Sequence, residues 1–108
     1  MIQCEQVGNV LCIQIIDPFD TKDAKAIHDN PDLESAQAVL MDMEMLGMMD
    51  SSVLAIMVTL YRRLSESGKG FGLYNMTEFG REVISMSGLS KIIAIHESKE
   101  AGLAALSS

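Results

Sequence analysis

Apolar runs separated by polar and turn-forming residues cover most of the chain and predict alternating strands and helices. The predicted strands are Ile2–Gln6, Val10–Ile16, Ala38–Met43, Phe71–Tyr74 and Leu89–Ile95. The predicted helices are Lys22–His28, Val53–Ser67, Glu78–Met86 and Lys99–Leu106, with a helical turn within Asp32–Gln37. The order β-β-α-β-α-β-α-β-α predicts an α/β sandwich with a mixed, mostly parallel sheet, because helices between strands form parallel crossovers.

The passage from the strand Ala38–Met43 to the helix Val53–Ser67 is the centre of the predicted fold. The strand is short and almost continuously apolar, which is typical of a strand covered on both faces. The helix needs a side-chain oxygen at its start to bind the unpaired N–H groups of its first turn. Three adjacent residues can supply that oxygen, namely Asp50, Ser51 and Ser52.

The start of this helix has two features that bear on function. It is apolar nearly all round from Val53 to Leu60, whereas a helix on a sheet needs only one apolar stripe. The surplus indicates either deep cover by the rest of the chain or a surface for a partner. Ser51 and Ser52 are either simple caps or include a regulatory serine, since a helix N-terminus tolerates a phosphate.

Composition and charge narrow the classes of function. A chain of 108 residues with 48% apolar residues is large enough for one folded domain, which we expect to span residues 1–108. A net charge of −7 argues against nucleic-acid binding and permits a basic protein partner. The sequence has no export signal and no run long enough to span a membrane, so we expect a cytoplasmic protein. Cys4 and Cys12 are placed to face each other across a hairpin, and we expect both to be free thiols.

Candidate chemistry is sparse. The thioethers of Met41, Met43, Met45, Met48 and Met49 suit Cu(I), but methionines in an apolar strand are usually core residues, which is the interpretation we favour. Four aspartates either cap helices and form turns or together form an acidic metal site, namely Asp17, Asp20, Asp42 and Asp50. The sequence contains no motif that pairs a nucleophile with a catalytic base, and it contains no glycine-rich phosphate-binding loop. We therefore expect no enzyme activity, no metal and no cofactor.

Several stretches together resemble the STAS domain, and most of all the bacterial anti-sigma factor antagonists. The most specific is Asp50-Ser51-Ser52 after a strand and before a long helix. The fold pattern supplies the remaining matches, which are Val39–Asp42, Leu60–Gly68, Met86–Leu89 and Lys91–Ile93. Asp20 falls at the family's aspartate after the second strand, and Val53 stands where the family usually has glycine.

The resemblance implies a small binding protein. In the family, a partner kinase of the histidine-kinase-like ATPase class, which is also the anti-sigma factor, phosphorylates the serine after the aspartate. Here that serine is Ser51. The implied partner-binding residues are Asp20, Asp50, Ser51, Ser52, Val53 and Leu54. The alternatives are a constitutive subunit of a larger assembly, either a stressosome or a partner of a lipid-transport ATPase, and a diverged domain that binds a small ligand.

Overall fold

The computed structural model describes residues 1–47 and 49–107, and within them the predicted order of elements is confirmed. The strands are β1 (Ile2–Val7), β2 (Val10–Ile15), β3 (Ala38–Asp42), β4 (Gly70–Tyr74) and β5 (Ala94–His96). The helices are α1 (Thr21–His28), α2 (Asp32–Ser35), α3 (Ser51–Glu66), α4 (Glu78–Met86) and α5 (Lys99–Leu106).

The strands form one mixed sheet whose strand order follows the sequence, β1-β2-β3-β4-β5. β1 is antiparallel to β2, and the neighbouring pairs from β2 to β5 are parallel. Right-handed crossovers between strands that advance in one direction place the connecting helices on one face of the sheet. Accordingly, α1 to α4 cover one face, which we call the helical face, and α5 packs against the other, the open face.

The main core lies between the helical face and α1 to α4. The helix α3 contributes a stripe at helical spacing, made of Val53, Ile56, Met57, Leu60 and Leu64. The strands contribute alternate residues, because successive side chains point to opposite faces. Burial of each such side chain contributes about 1.5–3 kcal/mol, so the stripe fixes the position of α3 on the sheet.

A smaller apolar cluster lies between the open face and α5. It contains Val10, Ala38 and Leu40 of the sheet, with Leu103 and Leu106 of α5 packed against it. The approach is close because α5 carries Gly102, where a Cβ would lie 2.7 Å from Cδ1 of Leu40. Among the described residues, α5 is the helix that covers the open face.

The last predicted strand is corrected by the structure. Leu89–Lys91 forms a 3-10 turn, and the strand begins only at Ala94. Gly88, with φ of 82°, ends α4 and turns the chain so that Leu89 enters the core. A short apolar run does not by itself distinguish strand from other buried structure; strand pairing starts where Ala94 meets Gly72 of β4.

The two cysteines lie on opposite faces of the sheet, so they do not face each other. Cys4 pairs with Ile13, whose side chain is in the main core, and Cys12 pairs with Glu5 on the open face. Both are free thiols, as expected. Burial raises the pKa of the Cys12 thiol, and it also raises that of Cys4.

The methionines that suggested copper are mostly core residues. Met41 and Met43 are 0% and 3% exposed, which confirms their predicted place in the core, and Met57 of α3 is also 0% exposed. Met49 packs against the main core, Met45 is exposed, and Met48 lies outside the described residues. Among the helices described, none is long and apolar enough to cross a membrane.

Candidate functional site

The predicted phosphoacceptor lies at the first turn of α3. Asp50 is the N-cap, and its carboxylate accepts a hydrogen bond of 3.1 Å from the backbone N–H of Val53. Asp50 therefore caps the helix, and the two serines do not. Ser51 and Ser52 are exposed, and neither hydroxyl has a hydrogen-bond partner among the described residues.

Asp17 ties the loop before α3 to the loop after β2. Its backbone N–H donates to the carbonyl of Met45 at 3.1 Å, and its carboxylate accepts from the backbone N–H of Gly47. A side chain at Gly47 would collide with that carboxylate, since a Cβ there would lie 2.4 Å from Asp17 Oδ2. The two loops at the carboxyl ends of β2 and β3 are thus held together beside Ser51.

A cleft of about 480 Å³ opens between these two loops. Asp17 and Asp50 supply its two carboxylates, and the apolar lining comes from Pro18, Phe19, Leu46 and Val53. We call it the acidic cleft. Val53 is 1% exposed, so it forms part of the cleft floor and contributes little to the outer surface. Apolar walls with two carboxylates suit a side chain that has an aliphatic stem and a positive end.

An apolar groove of about 500 Å³ lies on the other side of Ser51. Its lining residues are Ser51, Leu54, Ala55, Val58, Thr59, Ser87 and Leu89. The apolar surplus of α3 is thus divided: Val53, Ile56 and Met57 are buried, whereas Leu54, Ala55 and Val58 reach the surface. Deep cover by the rest of the chain is confirmed for the first three residues, and a partner surface at the other three stays a prediction. Ser51 stands at the end of the groove and next to the acidic cleft.

The predicted acidic residues do not all meet. Asp20 is the N-cap of α1 and forms a capping box with Asp23, so its carboxylate is engaged there. Asp42 belongs to the open face, where its carboxylate accepts from the side chain of Asn75 at 3.0 Å. The described part of the chain contains no group of three or more side chains placed to hold a metal ion.

Comparison with known proteins decides the family. The family model of the STAS domain matches residues 1–102. The chain belongs to the STAS domain family. No curated protein is significantly similar to this STAS domain in sequence.

Solved structures show the same fold at low sequence identity. A putative anti-sigma factor antagonist from Thermotoga maritima is 18% identical with a TM-score of 0.85, and the match covers 99% of this chain and 95% of that one. The Bacillus cell fate determinant SpoIIAA in its phosphorylated form is 22% identical with a TM-score of 0.75, covering 94% and 96%. A stressosome chain is 18% identical with a TM-score of 0.76, covering 97% and 96%.

Two parts of the site in this STAS domain were predicted from the sequence only in part. Asp17 was grouped with Asp20, Asp42 and Asp50 as a candidate acidic metal site, and the structure shows Asp17 lining a cleft with Asp50. Ser87 and Leu89 complete the apolar groove, although the family resemblance had already marked the segment that contains them. The signal for Asp17 was its place at the end of β2, since the carboxyl ends of parallel strands meet at one edge of the sheet.

Proposed function

We propose that the protein is an anti-sigma factor antagonist-like binding protein and that phosphorylation of Ser51 controls its partner binding. The observation that carries this proposal is the exposed, unbonded hydroxyl of Ser51 at the start of α3, between the acidic cleft and the apolar groove. On this proposal residues 1–108 act as one cytoplasmic binding domain without enzyme activity of its own.

The partner that fits this surface is a protein with a basic residue beside an apolar patch. A lysine or arginine enters the acidic cleft between Asp17 and Asp50, and apolar side chains cover Leu54 and Val58 in the groove. The net charge of −7 also favours a basic surface during the first encounter. The proposed partner is an anti-sigma factor that is also a serine kinase of the histidine-kinase-like ATPase class.

Phosphorylation would change the charge of this surface without unfolding the helix. Transfer from ATP forms a bond between Ser51 Oγ and the γ-phosphorus, ADP leaves, and the hydroxyl proton goes to a base of the kinase. The phosphate adds a charge of about −1.5 to −2 at neutral pH. The unpaired N–H groups and partial positive charge of the helix start accept it. The phosphate would stand at the end of the apolar groove, where its charge must be desolvated when the partner's apolar side chains cover Leu54 and Val58, so partner binding weakens.

Four variants of the two adjacent serines test the switch. Ser51→Asp should weaken partner binding with little change in melting temperature, and Ser51→Ala should bind whether or not the kinase and ATP are present. Ser52→Ala and Ser52→Asp are matched controls, because Ser52 is equally exposed on the same turn. Calorimetric binding to the partner and mass spectrometry of the phosphorylated chain give the result. Modification of Ser52 instead of Ser51, or equal effects of both aspartates, would contradict the proposal.

A constitutive subunit of a larger assembly is the second candidate function. The likeness to a stressosome chain favours it, and so does a second exposed apolar stripe on α4. Phe79 and Met86, which lie seven residues apart on that helix, are 61% and 87% exposed. On this alternative, Phe79→Ser with Met86→Ser should disrupt a particle seen by size-exclusion chromatography, and Ser51→Asp should leave it intact.

A further inference from the structure

A row of polar residues crosses the open face of the sheet in register. The pairing runs from Gln3 to Gln14, Asp42, Tyr74 and His96, one residue from each strand. We call it the polar row. Inner strands of a mostly parallel sheet are usually apolar and covered on both faces. Here three neighbouring inner strands carry polar side chains at the same level, and Tyr74 in this row also belongs to the apolar cluster against which α5 packs.

The polar row borders a cleft of about 270 Å³. The polar and charged residues that line it include Gln3, Glu5, Gln14, Asp42, Tyr74 and Lys99. This volume is just below the range of about 300–1,000 Å³ of sites for drug-sized ligands. The cleft also lies toward the carboxyl ends of the parallel strands, where ligands bind in open α/β sheets. We call it the polar cleft.

The wall of the polar cleft contains a buried tyrosine, Tyr74, and a glutamine with a long hydrogen bond, Gln14. Tyr74 is only 6% exposed, and burial and then the nearby Asp42 carboxylate raise the pKa of its phenol, so it stays a neutral donor. Gln14 donates to Asp42 at a long distance of 3.4 Å, and its amide oxygen has no partner in the described chain. The Asp42 carboxylate also accepts from the backbone N–H of Glu44 and from the side chain of Asn75, both at 3.0 Å. The amide of Gln14 is therefore the group that a ligand can engage at the smallest cost in internal contacts.

Charges of both signs stand around the polar cleft. Lys99, at the start of α5, makes an ion pair of 3.6 Å with Glu5, and both side chains are exposed enough to move. Glu5 is paired with Cys12, so the Glu5–Lys99 ion pair stands at the level of Cys12, and Asp42 lies two strands across from Glu5 and two residues further along. Lys99 and Asp42 both line the polar cleft. A compact zwitterion inside the cleft can therefore meet both charges, with a charge-assisted hydrogen bond of about 2.7–2.9 Å at each end.

We propose that the polar cleft binds a small zwitterion with an amino group and a carboxylate on one carbon, such as a free amino acid. Its carboxylate pairs with Lys99, and its ammonium group lies between Asp42 and the amide oxygen of Gln14. The side chain points out through the open side of the cleft. This site is on the opposite face of the sheet from Ser51, and the proposal does not depend on phosphorylation.

Titration of the isotope-labelled protein with free amino acids tests the site. Each common L-amino acid is added at millimolar concentration, with the N-acetyl derivative and the methyl ester of each as controls that lack one charge. At least one amino acid should shift the backbone amide signals of Gln14, Asp42 and Tyr74 and raise the melting temperature. Each control should bind at least tenfold more weakly than its parent.

Two lysine variants separate a built site from general charge effects. Lys99→Met should weaken binding of the same amino acid at least tenfold, and Lys91→Met, which removes an exposed lysine from the 3-10 turn, should leave it unchanged. Both positions are on the surface, so both variants fold. The proposal is overturned if no amino acid shifts the polar-row signals, if the blocked derivatives bind as well as the parent, or if Lys99→Met has no effect.

Discussion

Val53 illustrates how one residue can have a different role from the one its position in the sequence suggests. The family usually has glycine there, and a bulky residue directly after the two serines suggested an obstacle beside Ser51. In the structure the side chain turns into the core and is 1% exposed, while the serines point outward. Val53 therefore stabilises the core and does not cover the hydroxyl of Ser51.

Val53→Gly tests this role. We expect the free energy of unfolding to fall by about 3 kcal/mol, because a cavity opens in the core and glycine disfavours the helix. Val53→Ala raises the helix propensity but still opens a cavity in the core, so it should cost about 2 kcal/mol. Urea unfolding measures both, and the rate of Ser51 phosphorylation by the kinase should be unchanged in Val53→Ala. A several-fold faster rate in that variant would show that the valine obstructs the kinase after all.

The candidate site could be predicted from the sequence only in part. The Asp50-Ser51-Ser52 stretch is local, so its pattern places the cap and the exposed serines on the first turn of α3. The partner of Asp50 across the acidic cleft is set by loop geometry instead. Asp17 and Asp20 follow the same strand. The sequence offered Asp20 as a helix cap, which the structure confirms, but only the fold shows that Asp17 reaches the cleft.

At the scale of elements, α3 links stability to the site. Its N-cap carboxylate binds Val53 N–H, and the same carboxylate lines the acidic cleft. Helix α4 begins in a similar way, with the Thr77 hydroxyl accepting from the N–H of Gly80 at 3.0 Å. The two helices therefore offer one cap inside the proposed partner surface and one outside it.

Substitution of the caps separates the two tasks of Asp50. Asp50→Ala should lower the free energy of unfolding by about 1 kcal/mol and weaken partner binding, because it removes both the cap and the charge. Asp50→Asn keeps a capping oxygen, so it should weaken binding with a much smaller effect on stability. Thr77→Ala should cost about 1 kcal/mol and leave binding unchanged. Equal binding by the parent and Asp50→Asn would contradict a role for the carboxylate.

Elements with strong periodicity were predictable, and the exception has a physical cause. The helices at Glu78–Met86 and Lys99–Leu106 were predicted with the boundaries that the structure has. The segment before β5 was not, because Leu89 and Ile93 are buried in the core while Leu89–Lys91 forms a 3-10 turn. The apolar residues of this segment correctly predicted that it is buried, but they gave no information about strand pairing.

At the scale of the whole molecule, the uneven cover of the sheet has consequences for stability at high pH. Tyr74 lies at the edge of the part covered by α5, and burial raises the pKa of its phenol above the ordinary value of about 10. The unfolded chain therefore releases this proton first. The stabilising contribution is complete below about pH 10 and is lost as the pH rises from there through the raised pKa of the folded state.

Tyr74→Phe tests the alkaline dependence. The parent protein should lose stability between pH 7 and about pH 11, and the variant should lose less, because it has no phenolic proton at this position. Urea unfolding at both pH values measures the difference. An equal loss in parent and variant would show that other groups control alkaline stability.

The strand order also has a consequence for how the chain folds during synthesis. Each strand pairs with the one that precedes it in the sequence, so every new strand–helix unit can add to a sheet edge that already exists. Short-range pairing of this kind lowers the entropy lost in closing loops and favours fast folding. On the ribosome, where the N-terminal part emerges first, the sheet can grow strand by strand. The helix α5 follows β5 and closes the apolar part of the open face.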